Sequence, residues 1–249
     1  MLGKAAGGTS EPRKISFPVT EKSPRTAAPG RHNPGMDNIS TWGVWLRHAL
    51  EVAATMAFTL SGVMVAARSR LDAVGVYAVA FLAAFGGGTL RDLLLDQRPF
   101  FWVRHVEYLW GVLALSTAAM LFMRQRHFEP TERAIQVPDA LGLGLFAAVG
   151  VDVAMAVGMP PLVAVLMGVV TGVFGGVLRD IVCNEIPTAF RDHRPYALCA
   201  FAGGWVYLGL DVLAAPEWLA LTSTVTIIAG LRLLALWRDW RLPLWQVER

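Results

Sequence analysis

The sequence predicts an all-α polytopic membrane protein of seven transmembrane helices, arranged as two inverted three-helix repeats followed by a seventh helix. Three observations lead there: long apolar runs without charge, a self-similarity at an offset of 88 residues, and an uneven distribution of arginine between alternate loops. Of 249 residues, 16% are charged, where a soluble domain carries about 25%. That deficit points to lipid.

Taken in order, residues 1–40 are rich in Pro, Gly, Ser, Thr and Lys without apolar periodicity, which predicts a disordered tail. The tail has no apolar core of a secretory signal, and Met36 is an alternative start that mass spectrometry of the N-terminal peptide would decide. Charge is then absent from Val52–Ala67, Ala73–Leu90, Tyr108–Met123, Val153–Leu178, Pro195–Leu210 and Trp218–Leu231. A helix needs about 20 mostly apolar residues to cross the hydrocarbon core, a length each run reaches when its flanking Arg, Trp or Tyr residues extend to the interface. Helices are expected at 44–67, 73–97, 104–124, 137–158, 161–185, 193–212 and 217–238, with a tail at 239–249.

The loops after helices one, three and five carry Arg68 and Arg70, then Arg124, Arg126 and Arg133, then Arg191 and Arg194, whereas the opposite loops carry only Arg98 and Arg104. The positive-inside rule puts the C-terminus in the cytoplasm and the N-terminus outside. An odd helix count agrees.

The self-similarity pairs Phe58 with Phe146, Gly62 with Gly150, Gly87-Gly88 with Gly175-Gly176, Leu90-Arg91-Asp92 with Leu178-Arg179-Asp180, His105 with His193 and Tyr108 with Tyr196. The repeats are residues 44–127 and 137–212. A unit of three helices crosses the membrane in opposite senses in its two copies, so the repeat is inverted.

Chemistry concentrates at the matched glycines. Gly86, Gly87 and Gly88 in one copy and Gly175 and Gly176 in the other interrupt apolar spans, where each costs about 1 kcal/mol relative to Ala. They predict a kink that frees carbonyls toward a cavity, or alternatively a close-packing stripe of small residues (Ala80, Ala84 and Gly88; Gly168, Gly172 and Gly176). After each comes Arg-Asp, Arg91-Asp92 and Arg179-Asp180. Ionised groups at membrane depth face the bundle interior or pair. Adjacent residues do not share a helix face, so each is expected to find its partner on another helix or in the opposite copy. Asp152, whose counterpart is Met64, is a further candidate for an ion pathway, as is Thr89 for its hydroxyl dipole. Asp139 and Glu51 are expected to favour helix N-terminal dipoles, and His105 and His193 to act as interfacial anchors beside an aromatic belt of tryptophans.

Other classes are disfavoured. The basic residues form no cluster with interleaved aromatics, which argues against nucleic acid. Cys183 and Cys199 are too few for a disulfide framework, and no metal-ligand spacing occurs. The only lysines are Lys4, Lys14 and Lys22, so there is no intramembrane Schiff-base lysine and no phosphate-binding loop. No Ser, His or Cys constellation joins the carboxylates, so no enzyme and no cofactor are expected.

With Phe85-Gly86-Gly87-Gly88-Thr89-Leu90-Arg91-Asp92 and Gly172 to Pro187 in view, residues 44–238 resemble the prokaryotic TRIC family, the trimeric intracellular cation channels, also catalogued as an inner-membrane family with a repeated glycine transporter domain. The resemblance implies a homotrimer in membrane lipid, a pore inside each protomer, second and fifth helices bent at the glycines, and conduction of monovalent cations, chiefly potassium. Thr89, Arg91, Asp92, Asp152, Arg179 and Asp180 would line or hold that pathway. Phe174 stands where a third glycine would match Gly86. The lysine motif by which animal members bind lipid has no counterpart in this membrane portion. A secondary transporter of a small amino acid such as glycine, and a non-conducting structural protein, remain the competing readings.

Overall fold

The structure, a computed structural model, describes residues 34–126, 130–191 and 193–243, with side chains from Gly43 onward. Residues 1–33 of the expected tail, and 244–249 of the C-terminal one, lie outside the described residues. The described residues form helices throughout: α1 Pro34–Arg68, α2 Ala73–Leu94, α3 Phe101–Arg104, α4 Glu107–Arg126, α5 Glu132–Ala156, α6 Pro161–Val182, α7 Thr188–Arg191, α8 Ala197–Val212 and α9 Glu217–Trp237. Seven are long, as expected, and α3 and α7 are single turns in the loops that follow the Arg-Asp pairs.

Two starts differ from expectation. α1 is described from Pro34, ten residues before the expected start, so 34–40 belong to a helix. α5 begins at Glu132 because the Thr131 hydroxyl caps the Ala134 N–H, which carries the helix through Pro138. Asp139 thereby lies well inside α5, and Glu51 lies well inside α1 even when counted from the expected start at residue 44. A dipole effect fades within one turn, so the expected dipole role does not apply to either.

Among the described residues, five helices are long and apolar enough to cross a membrane: Gly43–Arg68 of α1, α2, α5, α6 and α9. α4 has 20 residues but lower hydropathy, and α8 has 16, about 24 Å of helix at 1.5 Å per residue. α4 carries Glu107, Trp110, Arg124 and Arg126, and α8 carries Trp205 and Asp211, residue types that extend to a membrane interface. Trp45, Trp110, Trp218 and Trp237 stand largely exposed on the outside, which a lipid-bathed surface allows and a water-bathed one disfavours.

The repeat is visible in backbone detail. Just beyond α1 stands Arg70 with φ 54° and beyond α5 its counterpart Gly158 with φ 77°; beyond α2 stands Asp96 with φ 51° and beyond α6 its counterpart Asn184 with φ 57°. Each is the left-handed residue that closes a helix by turning the chain back on its last carbonyls. At the centre, repeat-related Phe58 and Phe146 stack with centroids 5.7 Å apart. α5 is the most buried span, 72% of its apolar window against 39% for α9. It packs on α1, α6 and α9, while α2 packs on α1 and α6.

The matched glycines sit where α2 meets α6. A Cβ on Gly87 would strike the carbonyl oxygen of Thr171, and one on Gly175 would strike that of Ala83. Thr171 is the repeat counterpart of Ala83, so the two contacts are the same contact seen from either copy, and their order makes α2 and α6 antiparallel. Both helices run unbroken through their glycines. The expected break with freed carbonyls is therefore corrected: the missing Cβ atoms are used for close approach, and the backbone keeps its own hydrogen bonds, which a helix in lipid must.

Candidate functional site

One turn beyond each glycine contact, toward opposite ends of the bundle, lies a buried arginine with two carboxylates. Arg91 on α2 is 2% exposed. Its Nε donates to Asp92 Oδ1 at 2.8 Å and its Nη2 lies 2.7 Å from the same oxygen. Its Nη1 lies 3.5 Å from Glu51 Oε1 on α1, and the guanidinium stands over the Phe101 ring at 5.4 Å. The second oxygen of Asp92 accepts from the Phe101 N–H at 2.8 Å, which fixes α3. The Tyr108 hydroxyl donates to Glu51 Oε2 at 3.5 Å.

The second copy repeats the plan. Arg179 Nε donates to Asp180 Oδ1 at 2.8 Å, and Nη1 donates to Asp139 Oδ1 on α5 at 2.6 Å. Asp180 Oδ2 accepts from the N–H and hydroxyl of Thr188 at 2.7 and 2.9 Å, which fixes α7. Arg179 Nη1 also donates to Ser61 Oγ at 2.5 Å, a contact from the first repeat into the second. Arg232 of α9 stacks over the Tyr196 ring at 4.8 Å.

The adjacent Arg and Asp thus pair with each other, contrary to expectation. An arginine side chain is long enough to fold back alongside its helix, and its fork of donors offers Nε and Nη2 to one oxygen while Nη1 reaches elsewhere. The expectation of a partner on another helix holds as well, through Glu51 and Asp139. With its groups ionised, each triad of one arginine and two carboxylates carries a formal excess of negative charge. Buried charges of this kind persist only when so closely paired.

The remaining candidates fall elsewhere. The Thr89 hydroxyl accepts from Trp102 Nε1 at 2.9 Å, outside both triads. Asp152 accepts from the Tyr207 hydroxyl at 2.6 Å, lies 2.6 Å from Arg47 Nε, and through Arg47 connects to Glu217 at 3.6 Å. It ties α5 to α1, α8 and α9 and is not joined to either triad by a direct bond. Gly88 faces the Phe101 ring, and Gly176 faces the Tyr196 hydroxyl and Arg179. Gly86 abuts Leu178.

A cavity of about 720 Å³ opens onto the second triad; Asp139, Arg179, Asp180, Glu185, Arg68 and His193 are among its lining. At its rim Arg194 and Arg241 hold the carboxyl of Asp239 below the usual carboxylate range. Sequence reasoning missed Glu51 and Asp139 as triad members, and Ser61, Thr188, Arg47 and Tyr207 as partners. The signal available was that both copies keep an acid at the position of Glu51 and Asp139.

A helical bundle in which two antiparallel copies of one unit each bury a charged triad defines a multi-pass membrane protein of the inverted-repeat type. The family described as glycine transporter matches the chain twice, over residues 48–124 and 136–211. A UPF0126 membrane protein of Vibrio cholerae is 34% identical over 162 residues, 64% of this chain and 66% of that protein. The UPF0126 inner membrane protein YadS of Escherichia coli K12 is 34% identical over 158 residues, 64% of this chain and 75% of that protein. The crystal structure of the TRIC trimeric intracellular cation channel orthologue from Rhodobacter sphaeroides superposes with a TM-score of 0.72 at 32% identity, covering 78% of this chain and 98% of that one. The chain belongs to this TRIC family of inner-membrane proteins with a doubled glycine transporter domain, whose relatives are membrane proteins and channels rather than enzymes.

Proposed function

We propose that the protein is a cation channel that conducts potassium, with a pathway inside each protomer along α2 and α6, assembled as a homotrimer with its N-terminus outside and its C-terminus in the cytoplasm. The observation that carries the reading is the pair of repeat-related triads, Glu51–Arg91–Asp92 and Asp139–Arg179–Asp180, flanking the α2–α6 contact from opposite ends. The likeness to a cation channel of known structure supports it, and the trimer rests on the same likeness.

The chemistry follows from charge. Carboxylates buried beside a pathway lower the cost of a cation that has shed its water. In the present conformation each carboxylate pair is already answered by a tethered cation, the guanidinium, and the glycine contact brings the α2 and α6 backbones together. This is a closed state. Opening requires the guanidinium to swing from at least one carboxylate and α2 to part from α6, for which the glycines offer the point of bending. A permeant ion then meets the oxygens that the arginine has left. Asp152, braced by Arg47 and Tyr207, adds negative charge without lying in a triad. Neutralising Asp92 or Asp180 to Asn is expected to reduce potassium conductance in planar bilayers. Unchanged conductance and selectivity in both variants would remove these acids from the mechanism.

A second reading is a carrier of a small amino acid such as glycine, favoured by the family's description and by the use of inverted repeats in carriers. Saturable, substrate-specific uptake into liposomes without single-channel steps would support it.

A further inference from the structure

We infer that His48 is a proton sensor acting on the Arg91 triad. The inference rests on the channel reading and names a regulator for it. His48 Nδ1 lies 3.7 Å from Glu51 Oε2 and 3.4 Å from the Tyr108 hydroxyl. Its ring meets that of His105 edge-on, centroids 4.5 Å apart, and His105 Nδ1 lies 3.0 Å from Glu107 Oε1. The Glu107 side chain is 69% exposed, those of His105 and His48 are 32% and 36%, and those of Glu51 and Arg91 only 6% and 2%. A row of titratable groups thus leads from the surface to a buried arginine.

Glu51 is the hinge of the row, since one of its oxygens faces Arg91 and the other faces His48. A neutral imidazole leaves the carboxylate's charge to Arg91. A protonated one places a unit charge beside the far oxygen and competes for it. The Glu51–Arg91 contact, at 3.5 Å, is the one that yields, because Arg91 is tied to Asp92 at 2.7 Å. The other charges around His48 are already engaged: Arg47 on α1 with Asp152 of α5 and Glu217 of α9, and Glu107 of α4 with His105. Two imidazoles this close repel when both are charged, and Glu107 stands beside His105 rather than His48. Histidine is the side chain that changes charge between about pH 5 and pH 8. Among the described residues the second triad lacks this row, for the counterparts of His48 and Glu107 are Gln136 and Pro195.

The test records single channels while the face that carries His48 is taken from about pH 8 to about pH 5.5. Open probability is expected to rise roughly fivefold or more, the lower end of the coupling usual between two linked sites. His48→Gln, which installs the residue of the second copy, is expected to conduct as the parent does at about pH 8 and to have lost the response. Cation currents that ignore acid at this face, or a full response in His48→Gln, would overturn the inference and leave the channel reading intact. Absence of any current would overturn the channel reading instead, and ¹⁵N-histidine NMR of the protein in nanodiscs then decides. Titration of both His48 and His105 that becomes a single step for His105 in His48→Gln supports the sensor; a His48 that keeps one protonation state throughout overturns it.

Discussion

Gly87 and Gly175 are equivalent residues of the two repeats, and each presses on the backbone of the other's helix, Gly87 on the carbonyl of Thr171 and Gly175 on that of Ala83. The pseudo-two-fold axis passes between them. Everything proposed for this protein is arranged about that contact, with a triad one turn beyond it on either side.

Alanine at Gly87 or Gly175 therefore has to push α2 from α6, because the obstacle is backbone and cannot rotate away. Overpacking of this kind costs about 1–3 kcal/mol, read as a lower Tm in detergent. Gly209 and Gly230 provide the control, since a Cβ on either meets nothing within 4 Å. Alanine there is expected to be neutral or to stabilise by about 0.4–1 kcal/mol.

Removing Arg179 leaves Asp139 and Asp180 buried without their cation. Arg179→Met is expected to cost about 3–5 kcal/mol. Adding Asp139→Leu removes one of the stranded charges, and the double variant is expected to unfold at a higher temperature than the single one. A double variant as unstable as the sum of its parts would show that the two side chains do not act as a unit.

Asp152 binds four helices together through Arg47, Tyr207 and Glu217. Tyr207→Phe deletes a hydrogen bond to a carboxylate, for which about 1.5–3 kcal/mol is expected. The loss is expected in Tm, with the single-channel conductance of the folded protein unchanged. A conductance change without a stability change would put Asp152 on the ion route itself.

Asp239, whose side chain is 50% exposed beside Arg194 and Arg241, has a carboxyl pKa lowered from 3.8 by those hydrogen bonds. A lowered folded-state value means that the pair's contribution is fully present above 3.8 and lost as pH falls through the folded value. Asp239→Asn should therefore shift Tm by a small constant amount from neutral pH down to about 4, with the difference closing below that and shrinking in high salt. A difference that grows on acidification would contradict the pairing.

The fold was legible because lipid imposes simple rules. Runs such as Val153–Leu178 announce spans, and one offset aligns Arg91-Asp92 with Arg179-Asp180. The triads were only half legible. Arg and Asp were recognisable as buried charge, but their mutual pairing depends on how a flexible side chain folds back, which helical periodicity does not encode. The dipole reading of Asp139 fails because its helix starts earlier than expected, and that of Glu51 because it lies beyond the first turn even of the expected helix; a residue's distance from a helix end decides whether it feels the dipole or a neighbour. The glycine contact was hidden for another reason: a run of glycines serves a bend and a close approach equally well, and only the position of Thr171 and Ala83 decides between them. His48 gave no periodic signal, since its meaning comes from His105, which lies on the loop between α3 and α4.

The most direct test of the central claim is single-channel recording of the purified protein in planar bilayers with potassium on one side and sodium on the other. The account predicts discrete steps whose reversal potential lies toward that of potassium, reduced in amplitude by Asp92→Asn or Asp180→Asn. A membrane that stays silent while liposomes holding the same protein take up a small solute saturably would contradict it.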